Sequence, residues 1–324
     1  MEGVSEGGYP FLCDIVMNER RNKITGGLLV FVGAASFGLL STIVKFAYAQ
    51  GYTLGEITGT QSFSGMVILW LFYLVSLRRK SKENSTGDII QRTGWWKVSL
   101  AGTFTGLVGI FYYQSVKLLP ASVAIILLMQ YLWISILIEA IVFRKKPTKK
   151  QLLLAGIIFI GTLLAGGLFN EEIVLNLEGL AYGFLAATCY ALFLMTSGRI
   201  GNDLPALKKS ALMITGACII TWVIFPPLFF FNGVYGGGLY LWGVSLALLG
   251  TVIPPLLFSI GMPRVGVSIG AILSSAELPV ATLSSAFILG ESVDMVRWSG
   301  VLLILLAVGA TNITFRHSRR TLAS

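Results

Sequence analysis

Few residues in this chain could do chemistry, and the foremost is Glu277, set inside a long apolar run at 264–289. A bare carboxylate in hydrocarbon costs several kcal/mol, about 2.5–3.5 on insertion scales. It must therefore face a cavity or a partner, or carry its proton. The residue types leave two roles open: contact with a substrate amine or proton coupling, or a structural carboxyl bonded to a neighbouring helix beside the carbonyl that Pro279 frees. Lys45 lies near the end of the first apolar run, where its stem could snorkel to the interface or reach Glu277 or a substrate carboxylate. Glu139 is close in sequence to Arg144, which points to a local interfacial salt bridge. Ser36, Gln61, Tyr112, Gln114, Gln130, Tyr131, Trp133, Thr188 and Tyr190 are scattered through the other apolar runs. Such groups serve helix–helix hydrogen bonds or line a cavity.

Catalysis has little to stand on. His317 is the only histidine and sits in a basic tail with Arg316, Arg319 and Arg320. No metal-ligand cluster or nucleophile–base pair can be read, and the glycines at 236–238 lack the Lys-Ser/Thr that a phosphate-binding loop needs. The expectation is no catalytic residue, no metal and no cofactor. Cys13, Cys189 and Cys218 make no spaced framework, so no disulfide is implied.

The elements that must hold these residues are membrane helices. Of 324 residues 55% are hydrophobic and only 12% charged, with a mean hydropathy of +0.80. A soluble domain carries roughly a quarter charged residues. Apolar runs near the ~20 residues needed to span about 30 Å of hydrocarbon fall at 25–48, 55–77, 96–117, 120–143, 151–169, 178–197, 208–231, 238–261, 264–289 and 295–315. The fold expected is thus an all-α integral membrane protein of ten helices.

Basic residues then fall on one side. Arg20, Arg21 and Lys23 precede the first helix, Arg78 to Lys97 follow the second, and Arg144 to Lys150 follow the fourth. Arg199, Lys208 and Lys209 follow the sixth, Arg264 the eighth and Arg316 the tenth. The opposite loops hold Lys117, Arg297 and the acids Glu56, Glu171, Glu172, Glu178, Glu291 and Asp294. This bias places both termini in the cytoplasm of a cell (inner) membrane protein. It also accounts for the net charge of +9, so no nucleic-acid partner is implied. The polar first segment, 1–24, has no apolar core with a cleavage site and is not a signal peptide. Met17 opens an ordinary short leader, and residues before it are expected to be a disordered or spurious extension.

An internal repeat is legible. At a shift of 146 (242 − 96), Trp242, Ser245, Leu246, Ala247 and Thr251 fall on Trp96, Ser99, Leu100, Ala101 and Thr105. The same register puts Ser268 on Ser122, Ile272 on Ile126 and Glu277 on Tyr131. Upstream, Gly179, Leu180 and Ala186 fall on Gly27, Leu28 and Ala34 at a shift of 152 (179 − 27). The chain divides into repeats at 25–169 and 178–315, with a basic tail at 316–324. Five helices per repeat force the copies into opposite orientations, the arrangement that lets two halves open a central site to either side in turn.

With these repeats in view the chain resembles the EamA-type family of the drug/metabolite transporter superfamily, over residues 25–315. The resemblance is carried by the openings at 27–38 and 179–190, by Ser268-Ile269-Gly270-Ala271-Ile272-Leu273, by Glu277-Leu278-Pro279-Val280 and by Leu289-Gly290-Glu291. Leu278 separates the Glu and Pro that are usually adjacent, and the first repeat ends in Arg144-Lys145 rather than Gly-Glu. The resemblance implies a secondary transporter, expected to export, that moves an amino acid, related metabolite or drug by alternating access. It further implies a central cavity among helices one, three, four, six, eight and nine, lined by Glu277, Ser36, Tyr112, Gln114, Gln130, Tyr131, Trp133, Thr188 and Tyr190. The implied partners are a small-molecule substrate, the lipid bilayer and protons coupled through Glu277. An intramembrane enzyme or lipid-handling protein, and a non-transporting scaffold, are the alternative classes. Pro226-Pro227, Pro254-Pro255 and the glycines Gly102, Gly106 and Gly109 mark expected bends or close helix packing.

Overall fold

The computed structural model describes residues 9–80, 93–119, 121–144, 146–165, 176–288, 290 and 293–317. Lys82, Arg92, Lys145, Glu171, Glu172, Glu291 and the tail beyond His317, on which part of the charge reading rests, lie outside them. No strand occurs among the described residues. The first half holds α1 (Tyr9–Ala49), α2 (Leu54–Lys80), α3 (Trp95–Leu118), α4 (Ala121–Leu128), α5 (Tyr131–Val142) and α6 (Lys149–Ala165). The second holds α7 (Leu177–Arg199), α8 (Ala206–Ile224), α9 (Tyr240–Leu246), α10 (Ile253–Val265), α11 (Val267–Ser274), α12 (Glu277–Ile288) and α13 (Met295–His317).

Seven stretches are long and apolar enough to cross a bilayer, and Met295–Ala310 is a shorter apolar helix. Side chains such as Phe72, Ile141, Leu153, Val223 and Phe287 are exposed around the outside of the bundle. Water would not tolerate so much apolar surface, whereas lipid does. The protein is a multi-pass membrane protein. Trp95 and Trp96 open α3 on the exposed surface, with the Lys97 ammonium 5.4 Å from the Trp96 ring, as suits a headgroup-level anchor.

Several elements differ from the sequence-based expectation. α1 begins at Tyr9 and runs through Met17, so residues 9–16 are helical rather than disordered. The helix expected over 208–231 stops at Ile224, because Pro226 and Pro227 have no N–H to continue it. The prolines end that helix instead of bending it. A wide π-helical turn occupies Tyr235–Leu239, and a second one, Ala247–Val252, joins α9 to α10.

The expected helices 120–143 and 264–289 are each broken. Met129 and Gln130 form a turn between α4 and α5, and Ser275 and Ala276 form one between α11 and α12. The two breaks coincide at the shift of 146 (275 − 129). Their chemistry differs. Pro279 cannot donate to the Ser275 carbonyl, which accepts instead from the Leu278 N–H at 3.3 Å. In the first half the Gln130 side-chain amide donates to the Ile126 carbonyl at 2.8 Å and competes with the helix ladder.

In the principal packing each of several helix pairs has a counterpart in the other half. α1 lies on α10 as α7 lies on α3; α8 packs on α3 as α2 packs on α9 and the turn after it; α1 meets α11 and α12 as α7 meets α4 and α5. α2 with α8, and α6 with α13, pair across the middle. The α3–α8 crossing is close because Gly102 faces the Met213 backbone and Gly216 faces the Ser99 carbonyl, with no room for a Cβ at either. Gly102→Ala and Gly216→Ala are each expected to lower the stability of the detergent-solubilised protein by about 1–3 kcal/mol, the usual range for overpacking. Thermal melts followed by size exclusion measure this, and unchanged melts would contradict the close crossing.

Candidate functional site

The helix breaks, the wide turn and the glycine crossings leave a space at the centre of the bundle. The cavity there has a volume of about 90 Å³. Its wall is drawn from α1, α2, α3, α4, α7, α8, α12 and the wide turn before α10. The break before α12 makes Glu277 the first residue of that helix and turns its carboxylate into the cavity. Tyr190 on α7 donates its phenolic O–H to Glu277 Oε2 at 3.3 Å. Behind Tyr190 stands the buried ring of Tyr131, with centroids 4.5 Å apart and near edge-on. Phe37 meets Tyr190 edge-on at 6.0 Å, and Phe193 lies parallel to it at 6.0 Å. Carboxylate and hydroxyl are thus held by an aromatic corner whose rings brace one another.

Apolar side chains dominate the rest of the wall, and the polar groups on it are few. Gln61 on α2, Tyr112 and Tyr113 on α3, and Thr251 in the wide turn are among them. Wide π turns recur at functional sites because they re-aim side chains and free carbonyls. Here the Leu249 carbonyl accepts from the Ser36 hydroxyl at 2.8 Å, while Gly250 and Thr251 border the cavity. Tyr113 also borders a second groove, with Tyr48, Tyr52 and Lys117, near the ends of α1 and α3. Tyr113 thus stands between the cavity and this separate groove.

The sequence profile of the EamA-like transporter family matches the chain twice, over residues 24–167 and 177–313. This chain belongs to the EamA-like transporter family. Two relatives agree with the assignment. The uncharacterized transporter YcbK of Bacillus subtilis is 24% identical over 86% of this chain and 90% of its own length. The threonine/homoserine exporter RhtA of Salmonella typhimurium is 24% identical over 67% of this chain and 70% of its own. A solved crystal structure superposes with a TM-score of 0.66 at 16% identity, covering 90% of this chain and 99% of that one, a likeness of fold.

In this EamA-like transporter the nine residues named from the sequence are not brought together. Glu277, Tyr112 and Tyr190 line the cavity, and Tyr131 supports it from behind. The other five lie elsewhere. Ser36 is committed to the Leu249 carbonyl. Thr188 is exposed on the outside of α7 and donates to its own helix at the Phe184 carbonyl. Trp133 is also exposed and donates to Gln130 Oε1 at 2.6 Å; both border a groove against α6. Gln114 borders an outer groove with Glu56 and Lys117. Lys45 is exposed on α1 and is not among the residues that border the cavity. Gln61, Tyr113, Thr221 and Thr251 are the residues that single-residue reasoning undervalued.

Two further clusters occupy the basic end of this EamA-like transporter. Glu139 on α5 is buried and takes a charge-assisted bond from Arg199 Nη2 at 3.2 Å, not from Arg144. Its second oxygen accepts from the Ser268 N–H at 3.0 Å and from the Ser268 hydroxyl. One carboxylate therefore ties α5, α7 and α11 together, with the Arg199 guanidinium lying 3.5 Å from the centroid of Phe143. Lys209, expected among the basic residues of the cytoplasmic side, is buried; its Nζ donates to the Ser197 carbonyl at 2.7 Å and to Asn202 Oδ1 at 2.8 Å. A lysine on the last carbonyls of α7 closes that helix in the way favoured by the helix dipole.

Proposed function

We propose that this protein is a secondary carrier that moves a small amine-bearing metabolite, amino acids and related compounds included, by alternating access to the central cavity. The observation that carries the reading is a single carboxylate, Glu277, turned into the cavity at the middle of the membrane bundle. A carboxylate in that position is a docking point for a substrate ammonium and a site at which a proton can exchange for it. Export is the direction suggested by the likeness to RhtA. The membrane is inferred to be the cell (inner) membrane.

The topology inferred has ten crossings, with α3, α6 and α13 added to the seven long apolar stretches, and both termini in the cytoplasm. α3 is less apolar because it borders the cavity with one face and is covered by α7 and α8 on others. The paired packing, the coincident helix breaks and the two family matches support two five-helix repeats in opposite orientation. In this scheme the Glu139–Arg199–Ser268 tie closes the cytoplasmic end while the cavity opens past Tyr113 to the other side. A carrier needs no catalytic group, and we assign none.

The test is counterflow in proteoliposomes: labelled amine or amino acid should accumulate against excess unlabelled solute trapped inside, only in vesicles holding the protein. No counterflow from a broad panel of amino acids and amines would end the carrier reading in favour of a scaffold or an enzyme. Single cysteines at Ala281 and Ile125 on the cavity wall give a second check. They should react with impermeant thiol reagents from the outside, and from the cytoplasmic side at a rate that Glu139→Gln increases.

A further inference from the structure

The hydroxyl protons around the cavity are largely committed to the helices that carry them. Thr58 donates to the Leu54 carbonyl at 2.7 Å, Ser62 to Thr58 at 2.8 Å, Thr221 to Ala217 at 2.8 Å and Thr251 to Ala247 at 3.0 Å. A hydroxyl bonded in this way offers the cavity only its lone pairs. Among the described lining residues Glu277 is the sole carboxylate, and there is no Lys, Arg or His. The donors that remain are neutral: the Gln61 amide, the hydroxyl of Thr105 and the phenols of Tyr112 and Tyr113. The rings of Tyr190, Phe37 and Phe193 line the same cavity as Glu277, and ring faces attract cations.

We propose that the cavity selects organic cations, an ammonium on an apolar or aromatic body without a carboxylate, over free amino acids. The inference rests on the carrier reading above and narrows it. An amino acid brings its carboxylate two bonds from its ammonium, so both groups enter the pocket of Glu277 together. That second negative charge finds no cation there, and neutral donors repay only part of its lost hydration. Repulsion from Glu277 adds to the cost in a low-dielectric site. A carboxylate-free amine meets only favourable partners: the anion, the acceptor lone pairs and the aromatic faces.

Probes sharing one body separate the alternatives. 2-Phenylethylamine, L-phenylalanine and 3-phenylpropionate carry, on the same phenyl frame, the amine alone, both groups, and the acid alone. 1-Aminopropan-2-ol and L-threonine repeat the comparison on a small polar body. Binding to the full chain in nanodiscs is measured by calorimetry, followed by counterflow with the same compounds. At least one of the two amines is expected to bind tenfold or more tighter than its amino acid, and phenylpropionate should not bind. Glu277→Gln should weaken amine binding at least tenfold in protein that still elutes as the folded species. An amino acid that binds as tightly as its amine overturns the inference, as does the absence of binding by either amine. Because the wild-type ranking needs no variant, a misfolded Glu277→Gln would leave the test intact. Counterflow of phenylalanine or threonine without either amine overturns the cation selectivity and keeps the carrier. The expected binding order without counterflow supports the selectivity and removes the carrier.

Discussion

Replacing Glu277 by glutamine is expected to cut the counterflow of a bound amine roughly 10- to 100-fold, the equivalent of losing one contact to a charged group worth about 1.5–3 kcal/mol. Glutamine keeps the shape of the side chain and can still accept from the Tyr190 hydroxyl, which at 3.3 Å is its hydrogen-bond partner in the wild type. What disappears is the negative charge and the ability to exchange a proton for the substrate. Wild-type counterflow should therefore respond to an imposed pH gradient, whereas the Glu277→Gln protein should transport slowly and ignore it. Wild-type transport indifferent to the gradient, together with an unimpaired glutamine variant, would remove Glu277 from the coupling mechanism. A Tyr190→Phe protein is the milder companion: it loses the hydroxyl but keeps the ring against Phe193, so a loss of about tenfold or less is expected.

The second large effect concerns the closed end. Arg199→Ala should destabilise the protein by about 3 kcal/mol, because it strips the guanidinium from a carboxylate that is only 3% exposed. Arg199 itself is 38% exposed, so its charge reaches water readily. For that reason Glu139→Gln should cost less: the released arginine can turn outward, and glutamine can still accept from Ser268. The double change should recover part of the loss seen in Arg199→Ala, since the buried charge is gone. Melting midpoints of the four proteins form the cycle, and strictly additive losses would show that the two side chains do not act as a pair. If the same tie holds the cytoplasmic end shut, Glu139→Gln should also shift the wall cysteines toward cytoplasmic labelling, which a purely structural salt bridge would not do.

How far the site could be read beforehand differs from residue to residue. Glu277 announced itself, since a carboxylate amid apolar residues must have a wet or polar environment. Tyr131 and Tyr190 were reachable through the repeat, which sets Tyr131 opposite Glu277, and through the family resemblance. Thr188 and Ser36 were named on the same grounds, yet one faces outward and the other secures a carbonyl. The reason is the membrane itself. A soluble helix shows its buried face as an apolar stripe, but here lipid-facing and core-facing sides are equally apolar, so period alone cannot say which polar residue looks inward. The partner of Glu139 was missed for another reason: Arg144 is five residues away, whereas Arg199 is 60 residues away and meets it only after folding.

Composition and local order alone determined that this is a helical membrane protein, roughly where its apolar helices run and which carboxylate is exceptional. Those properties depend on the solvation of each segment by lipid or water, which the residues of that segment decide. Only the tertiary structure decided where the helices break, which hydroxyls are already committed to carbonyls, and which side chains share one cavity. Those depend on contacts between segments far apart in the chain: Tyr190 with Glu277, Ser36 with Leu249, Arg199 with Glu139. Such contacts are set by three-dimensional packing, and no local window of sequence contains both partners.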